Sequence, residues 1–102
     1  MASSTAYSTL FSNKAHKEVL ASWSWYEERQ QGLGDRFLEE IQLKIQKIQE
    51  NPEQFAAKYK YYRETAVSIF PVLIIYKIDK KSKLIRIISV FHTARNVKKK
   101  YT

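Results

Sequence analysis

Apolar residues recur at helical spacing in the first half of the chain and in nearly continuous runs in the second. Ala15, Val19, Leu20, Trp23 and Tyr26 form one stripe, as expected of an amphipathic helix. Ser12 is its favoured N-cap and Asn13 a second candidate. Gly32 suits a left-handed cap at its end. Gly34-Asp35 opens a second helix, whose stripe is Phe37, Leu38, Ile41, Ile45 and Ile48 and whose stop is Asn51-Pro52. The short gap between the two stripes predicts an antiparallel helical hairpin. Trp25 lies off the apolar stripe of the first helix and is read as packing or as a contact surface.

Before the helices, Tyr7–Phe11 alternates weakly and predicts a short strand. After them, Glu53–Lys58 reads as a connection and Tyr59–Thr65 as a strand leading straight into the run Val67–Ile78. Asp79–Lys83 is a polar break, and Leu84–Phe91 resumes the apolar run and ends on His92. Both long runs are rich in β-branched and aromatic residues, which predicts a β-hairpin. The order β-α-α-β-β-β predicts an α+β domain spanning residues 1–102. It has two layers, with the helical hairpin on one face of a mostly antiparallel sheet.

Turn placement suggests a register. With Ala66-Val67 at one turn and Ile78 opposite Leu84 at the next, Arg63, Phe70 and His92 fall in one cross-strand row. Tyr61, Val72, Ile74, Tyr76, Arg86, Ile88 and Val90 share their face. Ile69, Pro71, Leu73, Ile75, Ile85, Ile87 and Phe91 lie on the other face, which is expected to pack on the helices. The Arg63/His92 face is then an uncovered surface for a partner. A slip of one residue would reverse these faces.

Composition sets the class. The chain has 102 residues, 44% hydrophobic and 14% aromatic, which suits one folded domain. It contains no cysteine, so disulfides and thiolate metal sites are excluded. No apolar run approaches a membrane span or a signal peptide, and an intracellular, cytoplasmic protein with no membrane partner is expected. The net charge of +8 favours a polyanionic or acidic partner. The acidic residues concentrate before Gln54, and Lys98-Lys99-Lys100 ends the basic half.

Candidate chemistry is sparse. His92 is a candidate general acid or base. Arg63 and Arg95 are candidates to hold a phosphate or stabilise a phosphoryl transition state. Tyr61, Tyr62 and Tyr101 offer rings for stacking on bases. Together they would suit metal-independent cleavage of RNA through its own 2′-hydroxyl. The structural alternatives are ordinary: a hydrogen-bonded histidine at a strand end, a surface pair between Arg63 and Glu64, a solvated lysine tail. There is no metal-ligand spacing, glycine-rich phosphate loop or serine-nucleophile signature.

Several segments carry a family resemblance: Phe11-Ser12, Trp23-Ser24-Trp25-Tyr26-Glu27, Gly34-Asp35-Arg36-Phe37, Asn51-Pro52, Tyr62-Arg63, Ser68–Ile78 and Ile87–Arg95. In this order and spacing they resemble the RelE/ParE superfamily, toxins of bacterial type II toxin–antitoxin pairs. The resemblance covers almost the whole chain and implies the same two-layer fold. It also implies a growth-inhibiting toxin with a cognate antitoxin and no cofactor. RelE-like members cut mRNA in the ribosomal A site with basic residues and a Tyr or His; ParE-like members inhibit DNA gyrase by binding it. Arg63 matches the family's arginine on the second strand and His92 the histidine ending the last; both are the catalytic candidates. Lys58 and Lys60 lie where some cutting members carry lysines. With Tyr61, Phe70, Arg86, Arg95, Lys98 and Lys99 they form the expected binding set. Tyr101 lies well past the strand end, and the Phe-Pro and His-x-x-Arg pattern is common in the ParE-like branch. The resemblance therefore leaves mRNA cleavage, gyrase binding and a non-toxic binding module as alternatives.

Overall fold

A computed structural model describes residues 7–93. Strand β1 (Ser8–Phe11) leads into helices α1 (Asn13–Arg29) and α2 (Leu33–Glu50) and a 3-10 turn at Pro52–Gln54. Strands β2 (Ala57–Tyr59), β3 (Tyr62–Ala66), β4 (Val72–Asp79) and β5 (Leu84–His92) follow. The five strands form one sheet in the order β1-β5-β4-β3-β2. Only the β1–β5 pair is parallel. The helical hairpin packs on one face, so the α+β, two-layer reading holds, as does the mostly antiparallel sheet.

Local chemistry explains the helix starts. Ser12 caps α1: its Oγ accepts from Ala15 N at 3.0 Å and donates to Ile88 O at 2.8 Å, tying the helix start to β5. Gly32 takes the left-handed conformation (φ 89°) that begins α2. The Glu27 carboxylate accepts from Gly32 N and Gly34 N, both at 2.9 Å, satisfying amides at the start of α2. The Trp23 indole donates to Asp35 Oδ1 at 3.1 Å.

The sheet departs from the expected layout in three places. First, the stretch read as one strand from Tyr59 is a hairpin, β2 and β3, turning at Lys60-Tyr61 with Lys60 at φ 53°. Second, β3 and β4 pair with Ala66 opposite Leu73, so Val67–Pro71 is a loop instead of a two-residue turn. Pro71 has no N–H for the ladder, and the loop is closed by Val67 N to Val72 O at 3.0 Å. Third, β4 and β5 start one residue away from the expected register, with Asp79 opposite Leu84. An extra residue, Ile88, bulges between the pairs Tyr76/Ile87 and Ile75/Ser89.

These shifts change the faces. Val72, Ile74, Tyr76, Ile85, Ile87 and Val90 form the core with Ala15, Tyr26, Phe37, Ile41 and Ile48 of the helices. The face expected to be open in β4 is therefore the one the helices cover. Leu73, Ile75 and Phe91, expected against the helices, lie outside that core cluster. Ile85 and Ile87 face the helices as expected. Phe70, expected on the partner surface, is 8% exposed and belongs to the core. Trp25 packs on the core edge, with the Arg29 guanidinium 3.3 Å from its ring centroid.

Past Ile87, β5 runs beyond its β1 neighbour. There the Glu18 carboxylate of α1 takes over, accepting from Ser89 Oγ at 2.7 Å and Val90 N at 2.9 Å. A buried strand amide thus finds a side-chain acceptor where the ladder stops.

Candidate functional site

The expected row of Arg63, Phe70 and His92 does not exist. Arg63 pairs with Tyr76 and His92 with Val72. Four residues along β4 is about 13 Å and two strand spacings are about 10 Å, so the two backbones stand about 16 Å apart. The side chains of this set gather at opposite ends of the sheet.

At one end, His92 Nε2 lies 3.1 Å from the Tyr26 hydroxyl on α1. The Tyr26 ring packs edge-on against Phe70 at 4.9 Å and lies 5.4 Å from Phe37. Trp25 flanks His92, with ring centroids 6.2 Å apart. Thr93 donates from N at 2.9 Å and from Oγ1 at 3.0 Å to Pro71 O, which pins the end of β5 to the β3–β4 loop. His92 is thus set in an aromatic junction between helix and sheet. Phe70 serves that junction as packing.

At the other end, Arg63 Nη1 donates to Phe55 O at 2.7 Å and more weakly to Glu53 O at 3.4 Å. Its cross-strand neighbour Tyr76 donates from its hydroxyl to Pro52 O at 2.6 Å. Side by side, the two hold the turn after α2 by its carbonyls. Burial pushes the Tyr76 phenol up to about 12.

Beside Arg63 is a cleft of about 610 Å³. It forms because β3 begins only at Tyr62 while β4 runs on to Asp79. Arg63, Lys77, Lys80 and Arg86 line it against Glu53 and Asp79, so its cations outnumber its carboxylates by two. Lys80 bridges Glu53 at 2.6 Å, which holds that carboxyl below its ordinary range. Asp79 Oδ1 accepts from Ser82 N at 3.2 Å, and its carboxyl is also held low, first by the Ser82 side chain. Tyr61, also lining the cleft, is 62% exposed. Lys77 Nζ stands 4.9 Å from the Tyr61 ring centroid.

Of the sequence candidates, the structure brings together Tyr61, Arg63 and Arg86. Lys58 and Lys60 are exposed on β2 and its turn, with Lys60 Nζ 5.3 Å from the Tyr59 ring. Arg95, Lys98, Lys99 and Tyr101 lie outside the described residues. Lys77, Lys80 and Glu53 were not singled out from sequence. Lys77 and Lys80 were visible as the charges that end the apolar run. Glu53 arrives from the 3-10 turn, a long-range placement with no local signal. Among the described residues, no group of three or more His, Asp or Glu is placed to hold a metal ion. No helix there is long and apolar enough to cross a membrane.

A family model described as the ParE toxin of the type II toxin–antitoxin system parDE matches residues 9–97. Among solved structures the chain is similar to one described as the chromosomal ParDE TA system from P. aeruginosa. The TM-score is 0.73 at 15% identity, over 86% of this chain and 97% of that one. At that identity the likeness speaks to the fold alone. No curated protein matches the chain.

Proposed function

This chain belongs to the ParE toxin family of type II toxin–antitoxin systems, and we propose that it arrests growth by binding DNA gyrase, without chemistry of its own. A cognate antitoxin holds it inactive. With a toxin charge of +8, the antitoxin's binding segment is acidic and folds across the basic surface. This reading requires a cytoplasmic protein.

One observation carries the choice of binding over RNA cleavage. The backbones of Arg63 and His92 stand about 16 Å apart, and each side chain is engaged at its own end of the sheet in holding the fold, Arg63 on Phe55 O and His92 on Tyr26. General acid–base transfer and phosphate stabilisation act on one reacting centre, within hydrogen-bond reach of it. Two groups at opposite ends of the sheet do not meet that condition.

Two parallel assays test the reading. Purified protein is added to a gyrase supercoiling reaction, and mRNA 5′ ends are mapped in cells expressing it without antitoxin. Blocked supercoiling with intact mRNA is expected. Cuts within codons that vanish in Arg63→Ala and His92→Ala, with supercoiling unaffected, would establish ribosome-dependent cleavage instead. Normal growth on expression without a partner would leave a binding module with the toxin fold.

A further inference from the structure

We propose that the cleft between the β2–β3 turn and the end of β4 binds a nucleoside phosphate unit, the phosphate on its cations and the base on Tyr61. This does not depend on the gyrase reading, and either can fail alone.

The charge argument comes first. Arg63 is held at the cleft by neutral carbonyls, so its positive charge is fixed in place without being neutralised. Lys77 and Arg86 stand on the neighbouring strands, opposite one another in the ladder. Of the two carboxylates, Glu53 is paired with Lys80, while Asp79, held by the neutral Ser82 amide, keeps its charge and feels Arg86. Arg63, Lys77 and Arg86 therefore outnumber the one carboxylate left against them by two. What remains is a concentration of positive charge in a concave site, where low-dielectric walls strengthen its attraction for an anion. Arginine matches phosphate geometry with its fork of donors, and lysine adds a point charge.

Tyr61 chooses among anions. Its ring projects at the cleft wall beside Lys77 and lies 5.0 Å from Tyr62, which is itself stacked with Tyr59 at 6.1 Å and 9° between planes. An exposed aromatic ring next to cations is the arrangement that receives a base together with its phosphate. An acidic peptide would satisfy the cations and leave the ring unused. The volume of about 610 Å³ falls within the range of roughly 300–1,000 Å³ of small-ligand sites. The cleft is also open where β3 stops short of β4, so a strand can continue past the bound unit. The same chemistry therefore fits a free nucleotide or one residue of a single-stranded nucleic acid.

Isothermal titration of the full chain separates these, with ADP, a six-residue oligodeoxyadenylate and inorganic phosphate as probes. Variants are Tyr61→Leu and the pair Lys77→Ala/Arg86→Ala, each checked for folding by its circular dichroism melt; Arg63 is left intact because it anchors the turn. Binding of ADP or of the oligomer is expected. Tyr61→Leu should weaken it about tenfold, as loss of one stacked base does. The double variant should weaken it more and flatten its salt dependence. Tight binding of ADP assigns a free nucleotide; binding of the oligomer with weak ADP assigns a strand. Three results would overturn the proposal: no binding by the folded chain, phosphate binding as well as ADP with no effect of Tyr61→Leu, or oligomer binding that survives both variants.

Discussion

The Tyr26 hydroxyl and Nε2 of His92 lie 3.1 Å apart and join the second half of α1 to the last residue of β5. The bond sits among the rings of Trp25 and Phe70, where water competes poorly for it. Tyr26→Phe keeps the ring packing and removes the hydroxyl. It should destabilise the fold by about 1 kcal/mol, read as a lower urea midpoint at unchanged slope. Growth arrest should follow stability in this variant and in His92→Ala. Arrest lost by His92→Ala in a chain as stable as Tyr26→Phe would instead give His92 a direct part in toxicity.

Gly34 sits where α2 packs tightly against α1. A Cβ there would stand 2.7 Å from Trp23 O and 2.9 Å from both Glu27 Oε1 and Trp23 Cδ1. The first of these is backbone, so the helices must separate to admit it, and Glu27 would loosen its hold on the α2 amides. Gly34→Ala is therefore expected to destabilise by about 1–3 kcal/mol, the range for overpacking, although alanine is the better helix former. Thermal melts of Gly34→Ala and Gly32→Ala discriminate the causes. The second site has open space around it and should suffer only from its φ of 89°.

The layout of elements was legible in the sequence and the register was not, for one physical reason. Helix stripes have a period that names the buried face, and Ser12 and Asn51-Pro52 mark ends by their own chemistry. Strands β4 and β5 are apolar on both alternating sets, Val72, Ile74 and Tyr76 as much as Leu73 and Ile75. No alternation was available to fix which set meets the helices. The deciding features were Pro71, which ends the β3–β4 ladder, and the extra residue Ile88. A bulge changes parity partway along a strand, so no single register describes β4 against β5. The expected row of Arg63, Phe70 and His92 failed with the register. Arg63, Tyr61 and Arg86 still converge, because Arg63 and Arg86 lie near the starts of β3 and β5 and Tyr61 in the turn just before β3.

Tyr76 gives the fold an alkaline limit. Its phenol is buried and donates to Pro52 O, and burial pushes its pKa up to about 12 from the ordinary phenol value of 10.0. Below pH 10 the phenol is protonated in folded and unfolded chains alike, and its stabilisation is complete. Between pH 10 and 12 the unfolded phenol ionises while the folded one keeps its proton, so stability falls as pH rises. At about 1.4 kcal/mol per pKa unit this loss approaches about 3 kcal/mol. Tyr76→Phe lacks the titration but leaves the Pro52 carbonyl without its donor, at a cost of about 1–2 kcal/mol near neutrality. The gap between the two proteins should therefore narrow above pH 10, close, and then reverse as the loss exceeds that cost. Parallel stability curves would show that the phenol is not protected.

Ile69 is held in the left-handed region at φ 61° while its side chain is 68% exposed. A β-branched residue there pays a steric cost of about 1–2 kcal/mol, and an exposed side chain recovers little of it through burial. The loop Val67–Pro71 leaves the backbone no easier path. Val67 N is fixed to Val72 O at 3.0 Å, and Val72 N to Phe70 O at 2.8 Å. Ile69→Gly relieves the strain and loses some rigidity in the unfolded chain, so a net gain of about 0.5–1 kcal/mol is expected, measured as a higher urea midpoint. A lower midpoint would mean that the isoleucine conformation is not strained. Strain kept at an exposed position is characteristic of functional loops, so the same variant should be assayed for growth arrest and for antitoxin binding. A chain that gains stability and loses either activity would place the Ile69 side chain in that contact.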